Sequence, residues 1–400
     1  MKSSEKSADN AVVIVSAKRT PIGNFGGYYR NAPATLLGAT ALDMAIKEIK
    51  ITPDNINEII MGCVLSAGLG QAPARQAALT AKLPVSIPCS TINKMCGSGL
   101  KSVAMAFDAI KSNQAEVVLA GGMENMSQAP YLLPGARFGY RIGAHIAQDH
   151  MMHDGLIDAY PPHFSMGAIA EQSAKQFNIS REAQDQFALT SLERAQKATD
   201  AGFFKDEIIT ITLQRRKQKI AFSKDEGLLT AKAEKIPKLK PSFQKDGTIT
   251  AANSSSISDG AAALCVMSES KAKSLKLKPL ATIVDYVSVA AEPNLFPTAP
   301  VLAIEKLLKK LSWKISDVDL FEINEAFAVV VLIAMQQLKI PAEKVNVNGG
   351  ACVLGHPIGA SGARILVTLV HALKRLNKKR GIATLCIGGG EAMAMAVELG

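Results

Sequence analysis

The sequence predicts an α/β protein made of two similar halves around a polar insert. Short, β-branched apolar runs bounded by turn residues, at 11–15 and 116–120, have the pattern of buried strands. Between them, Leu100, Val103 and Phe107 recur at helical spacing. Because strands alternate with helices, we expect a parallel sheet that is covered by helices on both faces.

The second half of the chain repeats the first at an offset of about 260 residues. The matching predicted helices and strands are 36–49 with 300–311, 56–60 with 318–322, and 99–112 with 363–377. In each half we also expect a strand to end at a run of glycines followed by glutamate, at 121–124 and at 388–391. Two copies of one fold predict a pseudo-two-fold axis, with a cleft where the copies meet.

A more polar segment separates the halves, between about residues 127 and 251. Ser180 and Gly202 have the positions of an N-cap and a C-terminal stop for one long helix. The stretch 205–245 carries eleven Lys and Arg against five Asp and Glu, which is +6 of the chain's net charge of +10. Either a solvated surface or a binding lip for phosphate groups explains this cluster.

Composition limits the class of protein. Of the 400 residues, 48% are hydrophobic and 20% charged, which is typical of globular chains and not of disordered ones. The longest apolar run, 326–335, is half of the ~20 residues that cross a bilayer. The chain shows neither a secretory signal nor a peroxisomal address, so we expect a soluble, cytoplasmic protein.

Cysteine spacing and net charge limit the kinds of metal, ligand and macromolecule that the protein is expected to bind. The six cysteines follow no regular spacing and form no Cys-x-x-Cys pair, so zinc ribbons and dithiol redox sites are unsupported and we expect free thiols and no metal. The positive net charge favours anionic partners, either nucleic acid or a phosphorylated small molecule. Only 5% of residues are aromatic and no basic helix stands out, which speaks against nucleic acid.

Cys96 is the strongest candidate for a nucleophile. It lies in Met-Cys-Gly-Ser-Gly, directly before a predicted helix, where the helix dipole and unpaired backbone N–H groups favour a thiolate. The flanking glycines permit a tight turn and the close approach of a substrate. The alternative is a buried structural thiol. Packing alone rarely places cysteine, serine and glycines together in this way, so we favour the nucleophile.

His356 lies in a segment with five glycines, from Gly349 to Gly362, at nearly the position in the second half that Cys96 has in the first. Two reactive side chains at equivalent turns of a two-fold pair face each other across the cleft, which is a nucleophile–base arrangement. A structural histidine is the alternative. The other five histidines have no such context, and we expect them to be structural or exposed.

Three further segments carry polar or reactive groups. Cys386 follows a predicted strand at 381–385 and precedes glycines 388–390, whose N–H groups can bind an oxyanion. Asn324 follows a predicted strand at 320–323 and can orient a water, donate to a carbonyl oxygen or cap a helix. The segment 250–260 is either a polar turn or the lining of a channel for an amide-containing substrate arm.

Taken together, these blocks resemble the thiolase family, and in particular its acetyl-CoA C-acetyltransferase branch. The blocks are Met95-Cys96-Gly97-Ser98-Gly99, Asn324-Glu325-Ala326-Phe327, Gly355-His356-Pro357 and Cys386-Ile387-Gly388-Gly389-Gly390. Each motif is moderately specific alone, and the four in this order are highly specific. The resemblance covers nearly the whole chain, from Arg19 to the last predicted strand.

The resemblance implies a thiolase fold, in which two similar βαβαβαββ halves form a five-layered α-β-α-β-α core with an inserted loop domain. The implied domains are residues 1–126 plus about 252–275 for the first half, 127–251 for the loop domain over the coenzyme A site, and 276–400 for the second half. The implied partners are acetyl-CoA, acetoacetyl-CoA and CoA, with neither nucleic acid nor membrane. No cofactor is implied, because the CoA thioesters are substrates. A homotetramer (a dimer of dimers) or a dimer is implied.

The implied activity is the reversible condensation of two acetyl-CoA to acetoacetyl-CoA plus CoA, in fatty acid metabolism. Cys96 accepts the acyl group, His356 activates it, and Cys386 takes the α-proton of the second acetyl group. A water held by Asn324 forms one oxyanion hole with His356, and backbone N–H groups of Cys96 and Gly388 form the other. The implied CoA and acyl contacts are Ser255, Phe243, Leu156, Met166, Phe327 and Arg216.

One position departs from the family pattern. Short-chain members usually have His before Met166-Gly167, where this chain has Ser165, preceded by Pro161-Pro162. Longer-chain 3-ketoacyl-CoA thiolases vary at this position, so a degradative thiolase of that kind remains the alternative. One more distant alternative is a β-ketoacyl synthase or related condensing enzyme, which uses a cysteine with two histidines or with histidine and asparagine, so that Cys386 argues against it. Another is a non-catalytic acyl-CoA carrier, which we expect to lose Cys96 or His356, whereas this chain keeps both.

Overall fold

A computed structural model describes residues 11–215 and 218–400 of the chain. The strands are β1 Val12–Arg19, β2 Gly23–Asn24, β3 Glu58–Gly62, β4 Cys89–Ile92, β5 Val117–Asn125, β6 Tyr131–Leu132, β7 Gln148–Asp149, β8 Ile211–Arg215, β9 Gln218–Phe222, β10 Ser258–Ser268, β11 Ala281–Ala290, β12 Leu320–Ile323, β13 Arg380–Ile387 and β14 Glu391–Glu398. The helices are α1 Ala34–Ile49, α2 Pro73–Thr80, α3 Ser98–Lys111, α4 Met166–Gln176, α5 Arg181–Asp200, α6 Gly227–Thr230, α7 Glu269–Ser274, α8 Ala299–Leu311, α9 Ala328–Leu338, α10 Ala351–Leu354 and α11 Ile358–Leu376.

The two halves repeat one strand order. In the first, β1, β10, β5, β3 and β4 lie side by side, and in the second, β11, β14, β13 and β12 do. A single parallel bridge between Phe321 and Val345 takes the place of a fifth strand in the second half. In each half, the first two of these strand pairs are antiparallel and the next is parallel. The expectation of a parallel sheet is therefore wrong for most pairs, because β10 and β14 each run antiparallel to both of their neighbours.

The helices and sheets stack in five layers. Helices α1 and α2 pack against the outer face of the first half, and α8 and α9 against that of the second. Helices α3 and α11 lie between the halves, where one hydrophobic core contains residues of both. The sheets are also joined at one edge, because Val12–Ile14 of β1 pairs antiparallel with Ala281–Ile283 of β11. The predicted thiolase architecture is confirmed. The pairing of β1 with β11, which joins the two sheets, was not predicted.

Helix α11 shows why the centre of the molecule needs small residues. All of its residues from Ile358 to Leu373 are buried, as expected of a helix with neighbours on every side. It begins at Ile358, five residues earlier than predicted, because its glycines pack against other backbone and do not end the helix. A Cβ on Gly362 would lie 2.4 Å from the backbone nitrogen of Leu100 in α3.

The polar segment between β5 and β10 contains β6 to β9 and α4 to α6. Its longest helix, α5, begins after Ser180, whose hydroxyl accepts a hydrogen bond from the N–H of Ala183, and Gly202 follows it with φ +71°. Both predicted ends of this helix are confirmed. Strand β10 then pairs with β1 and β5 of the first half. The domain boundaries at residues 126, 251 and 275 stay predictions.

Candidate active site

Cys96 and His356 occupy equivalent turns of the two halves. Cys96 lies two residues before α3, and His356 lies two residues before α11. Cys386 is the second-last residue of β13 and Gly388 follows that strand, so the strand extends two residues beyond its predicted end. Cys96, His356, Cys386 and Gly388 all line one cavity of about 390 Å³. The fold therefore brings both thiols and the imidazole to one solvent-connected space.

Glycine contacts between the halves set the position of the His356 turn. A Cβ on Gly122 of β5 would lie 2.1 Å from the carbonyl oxygen of Gly359, three residues after His356. A Cβ on Gly62 would meet the same oxygen at 2.7 Å. Residues 121–124 were expected to end a strand, but β5 continues to Asn125 because it pairs with β10 as far as Asp259. The glycines there permit close backbone approach, and they do not form a turn.

The backbone N–H groups of Gly388 and of Cys96 itself lie near the Cys96 sulfur and favour its thiolate. Burial is the larger influence, and it raises the pKa of Cys96 to about 11. The expectation that the helix N-terminus favours a thiolate is therefore not met in the free protein. The same two N–H groups would face an oxygen carried on a carbon bound to this sulfur.

His356 is buried and uncharged near neutral pH. Burial, followed by the neighbouring Arg364 cation, lowers its pKa from 6.5 to about 3. Its Nδ1 lies 2.5 Å from the Ser361 hydroxyl. The amide nitrogen of Asn324 lies 3.4 Å from both ring nitrogens. A neutral imidazole is able to accept a proton, which is what activation of a thiol requires.

Cys386 is almost fully buried, with 1% of its surface exposed. Burial raises its pKa well above the ordinary value, and the neighbouring Cys96 raises it further. After Cys386, Gly389 and Gly390 have φ of +90° and +87°, a backbone conformation that residues other than glycine rarely adopt. The glycine run therefore turns the chain sharply and leaves the Gly388 N–H near the Cys96 sulfur.

The cavity walls are mainly apolar and come from the insert and from both halves. The predicted contacts Ser255, Phe243, Leu156, Met166 and Phe327 all line it. The rings of Phe243 and Phe327 meet edge to face, with centroids 6.0 Å apart. Arg216 lies outside the described residues. Asn324 does not line the cavity; it reaches the site through His356, and it does not cap α9, which begins after Phe327.

Comparison with known proteins identifies the family. A model of the thiolase N-terminal domain matches residues 12–270, and a model of the thiolase C-terminal domain matches residues 277–399. This chain belongs to the thiolase family. A thiolase relative from Cupriavidus necator, named acetyl-CoA acetyltransferase, is 50% identical over 97% of this chain and 99% of its own length.

Two further thiolases are similar over nearly the whole chain. A protein of Staphylococcus aureus strain COL, named probable acetyl-CoA acyltransferase, is 49% identical over 97% of this chain and 98% of its own length. The crystal structure of the Bacillus anthracis acetyl-CoA acetyltransferase superposes with a TM-score of 0.95, at 42% identity, covering 98% of this chain and all of that one. The predicted family and fold are thus confirmed.

The thiolase site also contains buried charged groups that sequence reasoning missed. Glu124 accepts hydrogen bonds from the N–H groups of Val64, Leu65 and Gly359, and burial raises its pKa to about 7. It thereby ties the end of β5 to the first turn of α11. Arg364 reaches the Oδ1 of Asn324 with its Nη2, at 3.4 Å. A glutamate directly after Gly-Gly-Met was the available signal for Glu124, whereas nothing in the sequence pairs Arg364 with Asn324.

Proposed function

We propose that this thiolase is an acetyl-CoA C-acetyltransferase that reversibly condenses two acetyl-CoA to acetoacetyl-CoA and CoA. One observation carries the proposal: Cys96, His356 and Cys386 line a single cavity, and Gly388 lines it with them. A Claisen condensation of thioesters needs an acyl carrier, a base for a weakly acidic C–H group and sites for two oxyanions. The names of the relatives support the acetyl substrate.

The first half-reaction loads the enzyme. His356 takes the thiol proton of Cys96, whose sulfur attacks the acetyl carbon of acetyl-CoA. The bond from that carbon to the CoA sulfur breaks, and CoA leaves as a thiol with the proton from His356. The acetyl group is now held as a thioester on Cys96. Because His356 is neutral near pH 7, its lone pair is available at the start of this step.

The second half-reaction forms the carbon–carbon bond. The Cys386 thiol passes its proton to His356, and the thiolate that forms takes an α-proton from a second acetyl-CoA. The resulting carbanion attacks the acetyl carbon on Cys96. The Cys96 sulfur leaves and takes the proton held by His356, acetoacetyl-CoA is released, and both cysteines are thiols again. In our proposal, the N–H groups of Cys96 and Gly388 stabilise the oxyanion of the acyl-enzyme. Asn324 and His356, with a water, stabilise the other one.

Binding of CoA follows from the cavity and its surroundings. Ser255, Phe243 and Leu156 are proposed to contact the pantetheine arm, and Met166 and Phe327 the acyl end; all five line the cavity. The nucleotide of CoA carries several phosphate charges. Exposed lysines of the basic stretch 205–245, such as Lys232 and Lys235, lie beside the active-site cavity and are proposed to attract these charges. Arg216 belongs to this stretch by sequence. No cofactor is needed, because both reactants bring their own activated thioester.

A degradative thiolase acting on longer 3-ketoacyl-CoA is the second candidate. Ser165 lines the cavity where short-chain relatives carry the larger histidine, and its hydroxyl caps α4 by accepting from the N–H of Ala168. Together with Met126 and Met152, it borders apolar space. Thiolytic cleavage of acetoacetyl-CoA and of 3-ketohexanoyl-CoA by added CoA, followed by absorbance, tests both. We expect a higher kcat/KM for acetoacetyl-CoA; a higher value for the longer substrate favours the second candidate.

We also propose that the enzyme is a cytoplasmic homotetramer, built as a dimer of dimers, or a dimer, and that it works in fatty acid metabolism. Within the described chain, β4 has no neighbour on its outer edge. The segment from Tyr131 to Ile146 exposes large apolar side chains, among them Phe138 at 90% and Ile142 at 93%. No helix among the described residues is both long and apolar enough to cross a bilayer. Light scattering after size-exclusion chromatography measures the mass: a tetramer or dimer supports the assembly, and a monomer contradicts it.

A further inference from the structure

A chain of buried polar groups runs past His356 and ends at the first turn of α11. Arg364 Nη2 lies 3.4 Å from Asn324 Oδ1, and the amide nitrogen of Asn324 faces the imidazole. On the other side, His356 Nδ1 lies 2.5 Å from Ser361 Oγ, which lies 2.9 Å from the carbonyl oxygen of Pro357. Each of these four side chains is at least nine-tenths buried, so water does not substitute freely for the partners.

The Ser361 end fixes which ring nitrogen carries the proton. The Pro357 carbonyl only accepts, so the single hydroxyl proton of Ser361 is donated to it. The Ser361 oxygen is then left to accept, and the group in front of it is His356 Nδ1. With the hydroxyl proton on this carbonyl, Nδ1 carries the hydrogen, and the lone pair of the neutral ring lies on Nε2.

The Arg364 end fixes which way the Asn324 amide faces. A guanidinium only donates, so the amide oxygen turns towards Arg364 and the amide nitrogen towards His356. That nitrogen is equally distant from both ring nitrogens, so it lies beside the ring and out of line with the Nε2 lone pair. Nε2 thus keeps its lone pair for the cavity, which His356 lines together with Cys96.

We propose that Ser361 and Arg364 are positioning residues that hold His356 in its Nδ1-protonated neutral form and face the amide N–H₂ of Asn324 to it. The proposal rests on the proposed function only for its effect on rate. The charge of Arg364 also acts on the imidazole. Among the described residues its one salt-bridge partner is Glu322, at a loose 3.8 Å, and burial raises the pKa of Glu322 to about 8, so this carboxyl compensates the Arg364 charge poorly near neutral pH. A weakly paired cation next to the imidazole disfavours a second positive charge there.

The first experiment reads the tautomer directly. Enzyme with ¹⁵N-labelled histidine rings is studied by solid-state NMR, and the His356 signals are assigned with His356→Gln. In the wild type we expect hydrogen on Nδ1 and none on Nε2. In Ser361→Ala we expect hydrogen on Nε2 or a mixture. Ser102→Ala is the matched control, because Ser102 is also a buried helical serine that donates to backbone carbonyls, and it should leave the signal unchanged.

This readout is independent of activity, so it distinguishes a wrong tautomer from a wrong function. Hydrogen on Nε2 in the wild type, or an unchanged spectrum in Ser361→Ala, overturns the role of Ser361. If the proposed function also holds, Ser361→Ala slows acetylation of Cys96 by about 10- to 100-fold, as loss of groups that orient a histidine does elsewhere. The Ser102→Ala control keeps the wild-type rate.

The second experiment tests whether Arg364 acts through Asn324. We expect Arg364→Met to lower kcat by about tenfold in the wild-type background and by less than about twofold in an Asn324→Ala background, because the partner is then gone. Arg364→Lys keeps the charge without the planar donors and serves if the methionine variant does not fold; the same dependence on background is expected. Equal losses in both backgrounds would show that Arg364 does not work through Asn324.

Discussion

Cys96 and His356 each lie two residues before one of the two central helices, one in each half of the molecule. The relationship follows from the internal repeat: equivalent turns of two similar halves meet at the shared cavity. The cysteine half supplies a sulfur with backbone donors around it, and the histidine half supplies a neutral base. The reaction that we propose uses both, and Cys386 adds the second base from the end of β13.

Glycine at position 122 is predicted to be required for the close contact between β5 of the first half and the first turn of α11 in the second half. In Gly122→Ala, the new Cβ would overlap the Gly359 carbonyl oxygen and displace the first turn of α11. We expect a loss of about 1–3 kcal/mol in the free energy of unfolding and a fall in kcat, since His356 moves with that turn. Gly260→Ala is the control, because its Cβ would have no neighbour closer than 3.4 Å. Thermal unfolding measures the stability of both variants, and cleavage of acetoacetyl-CoA measures their kcat. Equal behaviour of the two variants would show that the contact at Gly122 is not required.

The ion pair between Lys94 and Glu391 is predicted to hold two active-site loops together. Lys94 lies two residues before Cys96, Glu391 three residues after Gly388, and their charged groups are in contact. Lys94→Glu and Glu391→Lys should each lower kcat by up to about fivefold, the range of a partly exposed pair. The double exchange, which restores opposite charges, should recover activity to within about twofold. A double variant worse than either single one would exclude this role.

Alkylation of Cys96 should show an elevated pKa. Because burial raises the pKa of this thiol to about 11, the reactive thiolate fraction keeps growing as pH rises towards that value. The rate of inactivation by iodoacetamide should therefore still increase between pH 8.5 and pH 10. A peptide map confirms which cysteine reacts. A rate that levels off below pH 8 would mean that the backbone N–H groups outweigh burial.

Glu322 is predicted to make stability depend on pH. Burial raises its pKa from 4.5 to about 8, so between these pH values the folded protein keeps a proton that the unfolded chain has lost. The folded state therefore loses stability as pH rises from about 4.5 through 8, and Glu322→Gln removes this loss. We expect the Tm of the variant, relative to wild type, to increase from pH 6 to pH 9. Glu116→Gln, at an exposed side chain, should show no such trend.

Much of this arrangement could be predicted from the sequence, because it depends on local patterns that repeat. Glycines within two residues of Cys96, His356 and Cys386 marked three turns. The strand before Asn324 has the limits 320 and 323 predicted from the Asn324 segment, whereas the repeat predicts 318–322. The start of α11 was misplaced because a glycine that permits helix packing looks in sequence like one that forms a turn.

Long-range relationships were beyond the sequence. The pKa of Cys96 depends on burial under the insert, and a helix N-terminus alone predicts the opposite direction. The contact of Arg364 with Asn324 joins α11 to the end of β12, and no local sequence pattern predicts that these two residues meet. The catalytic roles of Cys96, His356, Cys386, Asn324 and Gly388 remain predictions until they are measured.

Division of labour between the two thiols is the next test. Cys386→Ser should still accept an acetyl group on Cys96, because acyl transfer uses His356. It should lose at least about 100-fold in carbon–carbon bond formation and cleavage, as is typical when a base is removed. Exchange of label between CoA and acetyl-CoA measures the first half-reaction, and cleavage of acetoacetyl-CoA measures the second. Equal losses in both would remove the assigned roles.

The most direct test of the proposed mechanism is mass spectrometry of enzyme incubated with acetyl-CoA and quenched in acid. We predict one added acetyl group, located on the peptide that contains Cys96, in wild type and more abundantly in Cys386→Ser, where the next step is blocked. Cys96→Ala should carry none. An acetyl group on another residue, or full turnover by Cys96→Ala, would contradict the account.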